Sequence, residues 1–436
     1  MMRFALNRTI ALPGILCVSV GFLCAQAFAE DWPQWRGPTR DNAWHEQDIM
    51  EAFPSEGLKI RWRVPVGPSW SSPVIADGHV YVTDVVLQKP KATERLQCIE
   101  ESSGKVLWTH AHEAPYPDWG FTPGQENGPS VTPIVQDGKV WMLGAMGGLY
   151  CLDAKTGATL WQKDLAKDYG MGGFSTNASP LMDGEKIILV IGGKPDAGVI
   201  ALDKNSGKEI WHALDEASAN SSPTILEAAG KRQLIVWTQQ SVSALDPNNG
   251  EALWRQRLLT SSDNTVSTPV TQGDLLLIGG LMLKLDQNKP GSSILWPDTK
   301  AVSHRVLSNT STAMLTEGHV YSATTKGELV CLDAQTGAKL WTKDGLTSKA
   351  TGTAIHFFPQ GTSNGNGSVL LYTDQGNLIR AKLTPQGYEE VSRTKLLEPV
   401  YTFSGRKLCW SPPAFANGCV FARNEKEMVC AELKRR

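Results

Sequence analysis

The sequence predicts an all-β chain folded as an eight-bladed β-propeller of four-stranded antiparallel blades, closed by pairing an N-terminal strand with the C-terminal blade. Three observations predict it. The first is a repeated phrase: CLDAKTGATLW (151–161) returns as ALDKNSGKEIW (201–211), ALDPNNGEALW (244–254) and CLDAQTGAKLW (331–341), with looser copies at 98–108 and 284–296. Its tryptophans, Trp108, Trp161, Trp211, Trp254, Trp296 and Trp341, stand 53, 50, 43, 42 and 45 residues apart. A period of about 40–50 residues holding several short apolar runs and Gly turns is the mark of propeller blades or a similar array.

The second observation is a Ser/Thr/Asn-rich stretch before an apolar strand, found at 71–78, 130–138, 177–184, 221–226, 267–274, 311–318, 352–357 and 411–418, which makes eight units. One complete unit, 130–163, reads as four strands joined by short turns at 136–138, 147–148 and 155–157. Those turns are rich in Asp, Asn and Gly, which tolerate positive φ and bond locally to the backbone. The seventh unit is worn, with Leu383 at the Asp position and Val391 at the Trp position.

The third observation concerns the chain ends. The eighth unit stops at Arg436 without a Trp strand, while Ile60–Val64 is an orphan fourth strand carrying Trp62. Joining the two closes the ring and removes the sheet edges that invite aggregation. The repeated Trp should wedge between blades, the repeated Asp should cap the turn, and the turn Gly should take the left-handed conformation.

Residues 1–29 read as a cleavable signal peptide: Arg3 and Arg8, an apolar run Ile10–Leu23, then Ala27-Phe28-Ala29. Bulky Leu16 and Leu23 before Cys17 and Cys24 argue against a lipoprotein, and no other segment reads as a membrane span. The expected location is periplasmic or secreted. The domain plan is 1–29 signal peptide, 30–57 extended segment and 58–436 propeller. Residues 30–57, with Trp32, Trp35 and Trp44, are expected to pack on the propeller side or across one mouth, with a lid over the channel as the sharper alternative.

Loss of residues 1–29 removes two arginines and leaves 40 basic against 44 acidic residues, a net charge of −4. That balance argues against nucleic acid or anionic lipid as a partner. Cys98, Cys151, Cys331 and Cys430 share one repeat position and read as small buried hydrophobes, too far apart for disulfides. Cys409 and Cys419 are a possible pair, though their spacing around a tight hairpin does not oppose them. With no C-x-x-C and no adjacent cysteines, the sequence shows no sign of a metal cluster or redox dithiol.

Alternating strand direction puts the first and third turns on one face and the long, irregular connections on the other. Function tends to sit on variable loops held by a rigid scaffold, so any site is expected on the connection face. The second turn of blade 1, 84–95, reads as another long loop there. The candidate cofactor-binding residues at the funnel mouth are Trp70, Asn127, Asn177, Asn220, His304, Arg305, Arg406 and Trp410, with Trp119 nearby. Glu126, together with Asn127, and Asp263 are the candidate Ca²⁺ ligands, because Ca²⁺ takes oxygen ligands. His304 with an acid could transfer protons. The plainer alternative is that the Ser, Thr and Asn ring satisfies strand ends around the channel.

The A-x-D-x-x-T-G-x-x-x-W repeat around Asp153, Asp203, Asp246 and Asp333 resembles that of the pyrroloquinoline-quinone (PQQ) propellers, and DWPQWRGP resembles the start of secreted bacterial PQQ-like repeat proteins. The resemblance covers residues 58–436. It implies one of two branches: quinoprotein alcohol dehydrogenases, which hold PQQ and Ca²⁺ in the funnel, or the non-enzymatic outer-membrane assembly lipoprotein BamB. The adjacent-cysteine disulfide of many such dehydrogenases has no counterpart here, nor has the lipidation cysteine of BamB. The expectation is a monomeric, exported binding or scaffold propeller presenting its connection face to an envelope protein or glycan. The alternative is a PQQ- and Ca²⁺-dependent dehydrogenase of an alcohol or sugar.

Overall fold

A computed structural model describes Met1 and residues 30–259, 265–296, 307–348, 354–360 and 368–435. Eight four-stranded antiparallel sheets are present, each made of strands consecutive in sequence except the last. Blade 2 shows the pattern: Ile134–Gln136, Lys139–Leu143, Gly148–Asp153 and Thr159–Asp164. Apolar side chains from facing blades fill the spaces between sheets, as where Trp141, Leu149 and Cys151 of blade 2 meet Ile187, Leu189 and Ile200 of blade 3. All six cysteines outside 1–29 are free and buried, Cys409 and Cys419 included.

The repeat phrase has a mechanical meaning. Asp153 Oδ1 accepts hydrogen bonds from the Thr156 N–H (2.8 Å) and hydroxyl (2.7 Å), and Asp203 and Asp333 do the same at Ser206 and Thr336. Each Trp donates its indole N–H to a turn carbonyl of the next blade: Trp62 to Glu101, Trp108 to Ala154, Trp161 to Lys204, Trp211 to Pro247, Trp296 to Ala334 and Trp341 to Thr384, at 2.7–3.2 Å. The rings of Trp62, Trp108, Trp161, Trp211 and Trp296 also lie on that turn's glycine, whereas Trp341 does not reach Gly387. A Cβ on Gly207 would stand 2.8 Å from the Trp161 ring, and one on Gly157 2.5 Å from Trp108. The turn glycine is therefore needed twice, for its positive φ and for the ring above it.

Trp254 departs from this pattern and bonds Gln233 Oε1 within its own blade. The next turn carries the inserted residue at 286–291, and its Gly291 meets no tryptophan. The outermost strand of every blade also bulges at the residue before the Trp position, for example between Cys151/Leu152, which leaves Leu160 unpaired. This corrects the seventh unit: Val391 is the bulged residue there, and Ser392, opposite Arg380, holds the Trp position. Ser392 Oγ accepts the backbone N–H of buried Phe53, so the N-terminal segment docks where the Trp is missing.

The ring closes as the chain ends predict. Ile60–Pro65 pairs antiparallel with Glu427–Glu432, beside Cys419–Arg423 and Ala414–Ala416. Blade 8 is then bolted to blade 1 by the buried Arg423, which donates to the carbonyls of Thr83 (2.6 Å) and Gly67 (2.5 Å).

Residues 84–95 are not a loop. They belong to a regular hairpin of two ten-residue strands, His79–Gln88 and Lys91–Glu100, turning at 89–90. Buried Asp84 holds it together, accepting from Arg95, Gln97 and the Gly67 backbone. The connection 397–411 carries a further hairpin, Tyr401–Phe403 with Arg406–Leu408, and a short helix, Leu165–Tyr169, follows blade 2. No helix among the described residues is long and apolar enough to cross a membrane.

Residues 30–57 do more than pack on the side. The segment enters at the first-turn face, where the Asp77 N–H donates to Asp31, and pairs Trp32 with Ile75 of blade 1 at 2.9 Å. It then crosses the channel. Pro33 accepts from Val135 of blade 2, Trp35 donates to Thr268 of blade 5, and Arg40 donates to the Pro180 and Pro223 carbonyls of blades 3 and 4. Asn42 and Trp44 bond Phe357 and Pro359 of blade 7, and Met50 bonds Leu433 of blade 8. The segment therefore braces seven blades and closes one mouth of the channel.

Candidate functional site

The Ser/Thr ring is first of all a girdle. Hydroxyls before the innermost strands accept backbone N–H groups of neighbouring blades: Thr132 from Ser72, Ser179 from Thr132, Ser222 from Ser179 and Thr312 from Thr268 of the preceding blade, and Ser311 from Ile355 of the following one, at 2.9–3.2 Å. Asn177 N–H donates to Asn220 Oδ1 in the same sense. The inner strands expose their edges to the channel, and these side chains satisfy donors that a sheet edge leaves unpaired.

Inside the girdle lies a narrow cavity of about 90 Å³, lined by Trp35, Trp70, Ser130, Asn177, Ser222, Val266, Thr310, Thr312, Ala354, His356, Trp410 and Pro412. Trp35 comes from the N-terminal segment and forms the floor. Trp70 and Trp410 stand at the connection end, edge to face at 4.9 Å, with Tyr401 and Phe403 of the 401–408 hairpin packed against them. The indole nitrogens of Trp70 and Trp410 are buried without a protein partner. A smaller recess of about 10 Å³, little more than room for one water, continues beneath, lined by Trp35, Arg36, Asn42, Thr312 and His356 among others.

Two ionisable groups line these cavities, His356 and Arg36, and Arg40 lies near Arg36. His356 sits deep in the wall, and burial holds its imidazole down at about 4, so it is neutral at pH 7. Burial likewise lowers Arg36 to about 10 and Arg40 to about 9, and each remains a cation. No carboxylate belongs to the described lining of either cavity.

Of the predicted residues, the structure brings Trp70, Asn177 and Trp410 to the cavity. Asn220 serves the girdle behind Asn177. Asn127 bonds the Gln125 carbonyl (3.0 Å) and does not line the cavity. Arg406 is exposed at a hairpin tip, donating to the Ser348 carbonyl beside a separate surface hollow with Gln375 and Glu398. Trp119 stacks on Phe174 at 4.7 Å, outside the cavity. Glu126 lies by Tyr401 and Glu425, not in the funnel. His304, Arg305 and Asp263 lie outside the described residues.

Sequence reasoning passed over Arg36 and His356, and it named Trp35 only within the 30–57 segment, not as a cavity residue. His356 had a readable signal: its column in the repeat otherwise holds Ile75, Val135, Met182, Ile225, Thr271, Leu315 and Phe415. An ionisable residue in an otherwise uncharged column is out of pattern. For Trp35 the signal was its place in the Trp-rich 30–57 segment, expected across one mouth as one alternative; Arg36 had none of its own.

Ring, girdle and plugged funnel define the class: an eight-bladed propeller of PQQ-like repeats. The chain belongs to the family described as outer membrane protein assembly factor BamB, whose model matches residues 92–298 and 240–381. Two curated relatives represent both branches. Outer membrane protein assembly factor BamB of Burkholderia pseudomallei is 28% identical over 236 residues, 52% of this chain and 58% of the relative. Quinoprotein alcohol dehydrogenase PedH of Pseudomonas putida is 30% identical over 153 residues, 32% of this chain and 25% of the relative. The matched stretch thus spans a quarter to little more than half of these relatives' length. Among solved structures, the quinohemoprotein alcohol dehydrogenase of Comamonas testosteroni superimposes with a TM-score of 0.64 at 13% identity, covering 94% of this chain and 82% of that one; the likeness is one of fold.

Proposed function

We propose that this protein is an exported, non-enzymatic binding propeller of the BamB family, offering its connection face to an envelope protein or glycan. The observation that carries the reading is the funnel lining: hydroxyls, amides, indoles and a neutral imidazole, with no carboxylate among the described residues. Such a lining binds and orients, but its one proton acceptor, the His356 imidazole, is made a weak base by burial, and it supplies no strong cation site. The family membership and the signal-peptide pattern of residues 1–29 support export to the envelope. The rim cluster of Trp70, Tyr401, Phe403 and Trp410 is the aromatic anchor such a face needs, since Trp and Tyr dominate binding hot spots. The experiment is crosslinking in intact cells through a photoreactive residue at Phe403. Reproducible capture of one envelope component supports the reading; no adduct at any rim position removes it.

The second reading is a PQQ- and Ca²⁺-dependent dehydrogenase, favoured by the flat indoles of Trp35 and Trp410 within one cavity. The residues present do not fit the metal. Ca²⁺ takes six to eight oxygens with carboxylates among them, and the described lining provides only hydroxyl and amide oxygens. No reaction step is derived through it. Titrating purified protein with PQQ, with and without Ca²⁺, separates the readings: saturable Ca²⁺-dependent binding at micromolar or better overturns the scaffold, and its absence retires the enzyme.

A further inference from the structure

Glu30 is held from both of its ends by one dipeptide, His45-Glu46. Its carboxylate accepts the His45 backbone N–H (2.8 Å) and lies 3.1 Å from the His45 imidazole, and its own backbone nitrogen donates to Glu46 Oε1 at 3.2 Å. The dipeptide is fixed in turn by buried Trp44, which bonds the Pro359 carbonyl of blade 7. Two residues beyond Glu30, Trp32 and Ile75 exchange backbone bonds that fix the segment on blade 1. The fold therefore sets where the Glu30 nitrogen lies. Glu46 is 6% exposed, and among the described residues it makes no ion pair; its one described hydrogen bond comes from that nitrogen. Other acids stand around it. Asp31 and Glu46 both act on buried Glu101, which is answered by Arg61 at 3.7 Å and Asn417 at 2.8 Å. A buried carboxylate is ordinarily paired, because taking a charge out of water is costly. This corner of the protein is short of a cation.

Processing of the chain supplies one. The small-x-small pattern Ala27-Phe28-Ala29 puts the cleavage point directly before Glu30. Hydrolysis of the Ala29–Glu30 peptide bond by a peptidase consumes one water. It leaves a carboxylate on Ala29 and turns the Glu30 amide nitrogen into an α-amine, which is mostly protonated at pH 7 because such groups titrate near about 7.7–8.0. A single N–H donor becomes an ammonium with three, on the atom that already stands 3.2 Å from Glu46. We propose that removal of the leader completes the brace: the new α-ammonium of Glu30 pairs with buried Glu46 and latches the start of the segment that crosses the channel. This latch rests on the export reading above, since it exists only where cleavage falls before Glu30. The segment that ties seven blades is then fully fastened only in the processed chain.

The test weighs intact protein recovered from the envelope of expressing cells, then acylates its α-amine at pH 7 in the folded and the urea-unfolded state. The expected mass is that of residues 30–436 with a free amine. Folded-state labelling should be slower than unfolded by at least about tenfold, because a neighbouring carboxylate favours the protonated, unreactive form. Glu46→Gln keeps the shape and removes the charge, and in a folded protein it should restore most of that tenfold. A cytoplasmic form that keeps Ala29 in front of Glu30 carries its amine one residue away. Glu46→Gln should lower the melting temperature of the processed chain by at least about 2 °C and not lower that of the Ala29 form. A folded Glu46→Gln protein that labels as slowly as the parent overturns the latch, as does an equal drop in melting temperature in both chains. Should the variant fail to fold, the two parents decide: the Ala29 form should melt below the processed chain, and equal melting overturns the latch. A start other than Glu30, or an N-terminus cyclised and one water lighter, overturns the latch and leaves export standing. Full-length protein retained in the cytoplasm removes both.

Discussion

At the scale of the residue, the unit of cohesion is a tryptophan standing on its neighbour's glycine. The contact combines apolar burial, an indole hydrogen bond and a backbone conformation only glycine takes without strain. Trp161 and Gly207 form one such unit, with the Trp161 indole also near the Lys204 carbonyl that Trp141 uses at 3.0 Å. Trp161→Ala should cost about 3 kcal/mol as a large-to-small change. Gly207→Ala should cost about 1–3 kcal/mol, because it meets both the strained φ of +69° and the ring at 2.8 Å. Denaturant unfolding of the two single variants and the double variant checks both. The double should be less destabilised than the sum, since removing the ring relieves the methyl clash; strict additivity would mean the two residues do not share a contact. The repeat Asp and Gly roles were legible from the sequence because they act within a single turn. Ser392 was not, because a bulge shifts the register by one and only strand pairing reveals it.

At the scale of the element, the second turn of blade 8 carries an anomaly. Glu425 is 9% exposed, and among the described residues no other residue hydrogen-bonds its carboxylate oxygens. Burial raises its pKa to about 7, only partly offset by Arg423, whose guanidinium is turned to the Thr83 and Gly67 carbonyls, while Glu126 raises it further. A carboxyl raised in the folded state binds more protons there than when unfolded, where its pKa is about 4.3. Stability therefore falls as pH rises from about 4 to 7, and the penalty is complete above 7. Glu425→Gln should stabilise the protein at pH 8, by on the order of 3 kcal/mol at most, and have little effect at pH 4. Thermal melts at the two pH values read this directly, and an equal shift at both would show that the charge is not the cause. Blade 1 teaches a different lesson at this scale. Its polar 84–95 stretch reads as a loop, yet Asp84, Arg95 and Gln97 satisfy one another on a sheet face. Charged residues lower strand expectation in a sequence, and pairing across a hairpin reverses it.

At the scale of the molecule, eight similar blades are held by two devices of opposite reach. The girdle hydroxyls link most neighbouring blades to one another, and the N-terminal segment ties seven blades across the channel. Trp32 and Trp44 are almost fully buried against Phe358 and Phe415, with ring centroids 5.2–6.1 Å apart. Deleting residues 30–50 leaves the closing strand Ile60–Pro65 in place but uncovers those rings. The variant should keep its β-sheet circular dichroism, melt at least 10 °C lower and bind a hydrophobic dye that the intact protein does not. A melting temperature within 2 °C of the parent would reduce the segment to decoration.

The sequence by itself determined the repeat, the blade count, the closure by both chain ends and the roles of Trp, Asp and Gly. Each of these is a local rule written again in most of the blades, or a complement visible at the two ends. Only the tertiary structure decided that Arg36 and Trp35 sit at the bottom of the funnel, that Asn127 and Arg406 do not line it, and that the Ser/Thr ring joins blades. Those facts depend on where one unrepeated segment crosses seven blades, and an unrepeated segment has no period from which its partners could be read.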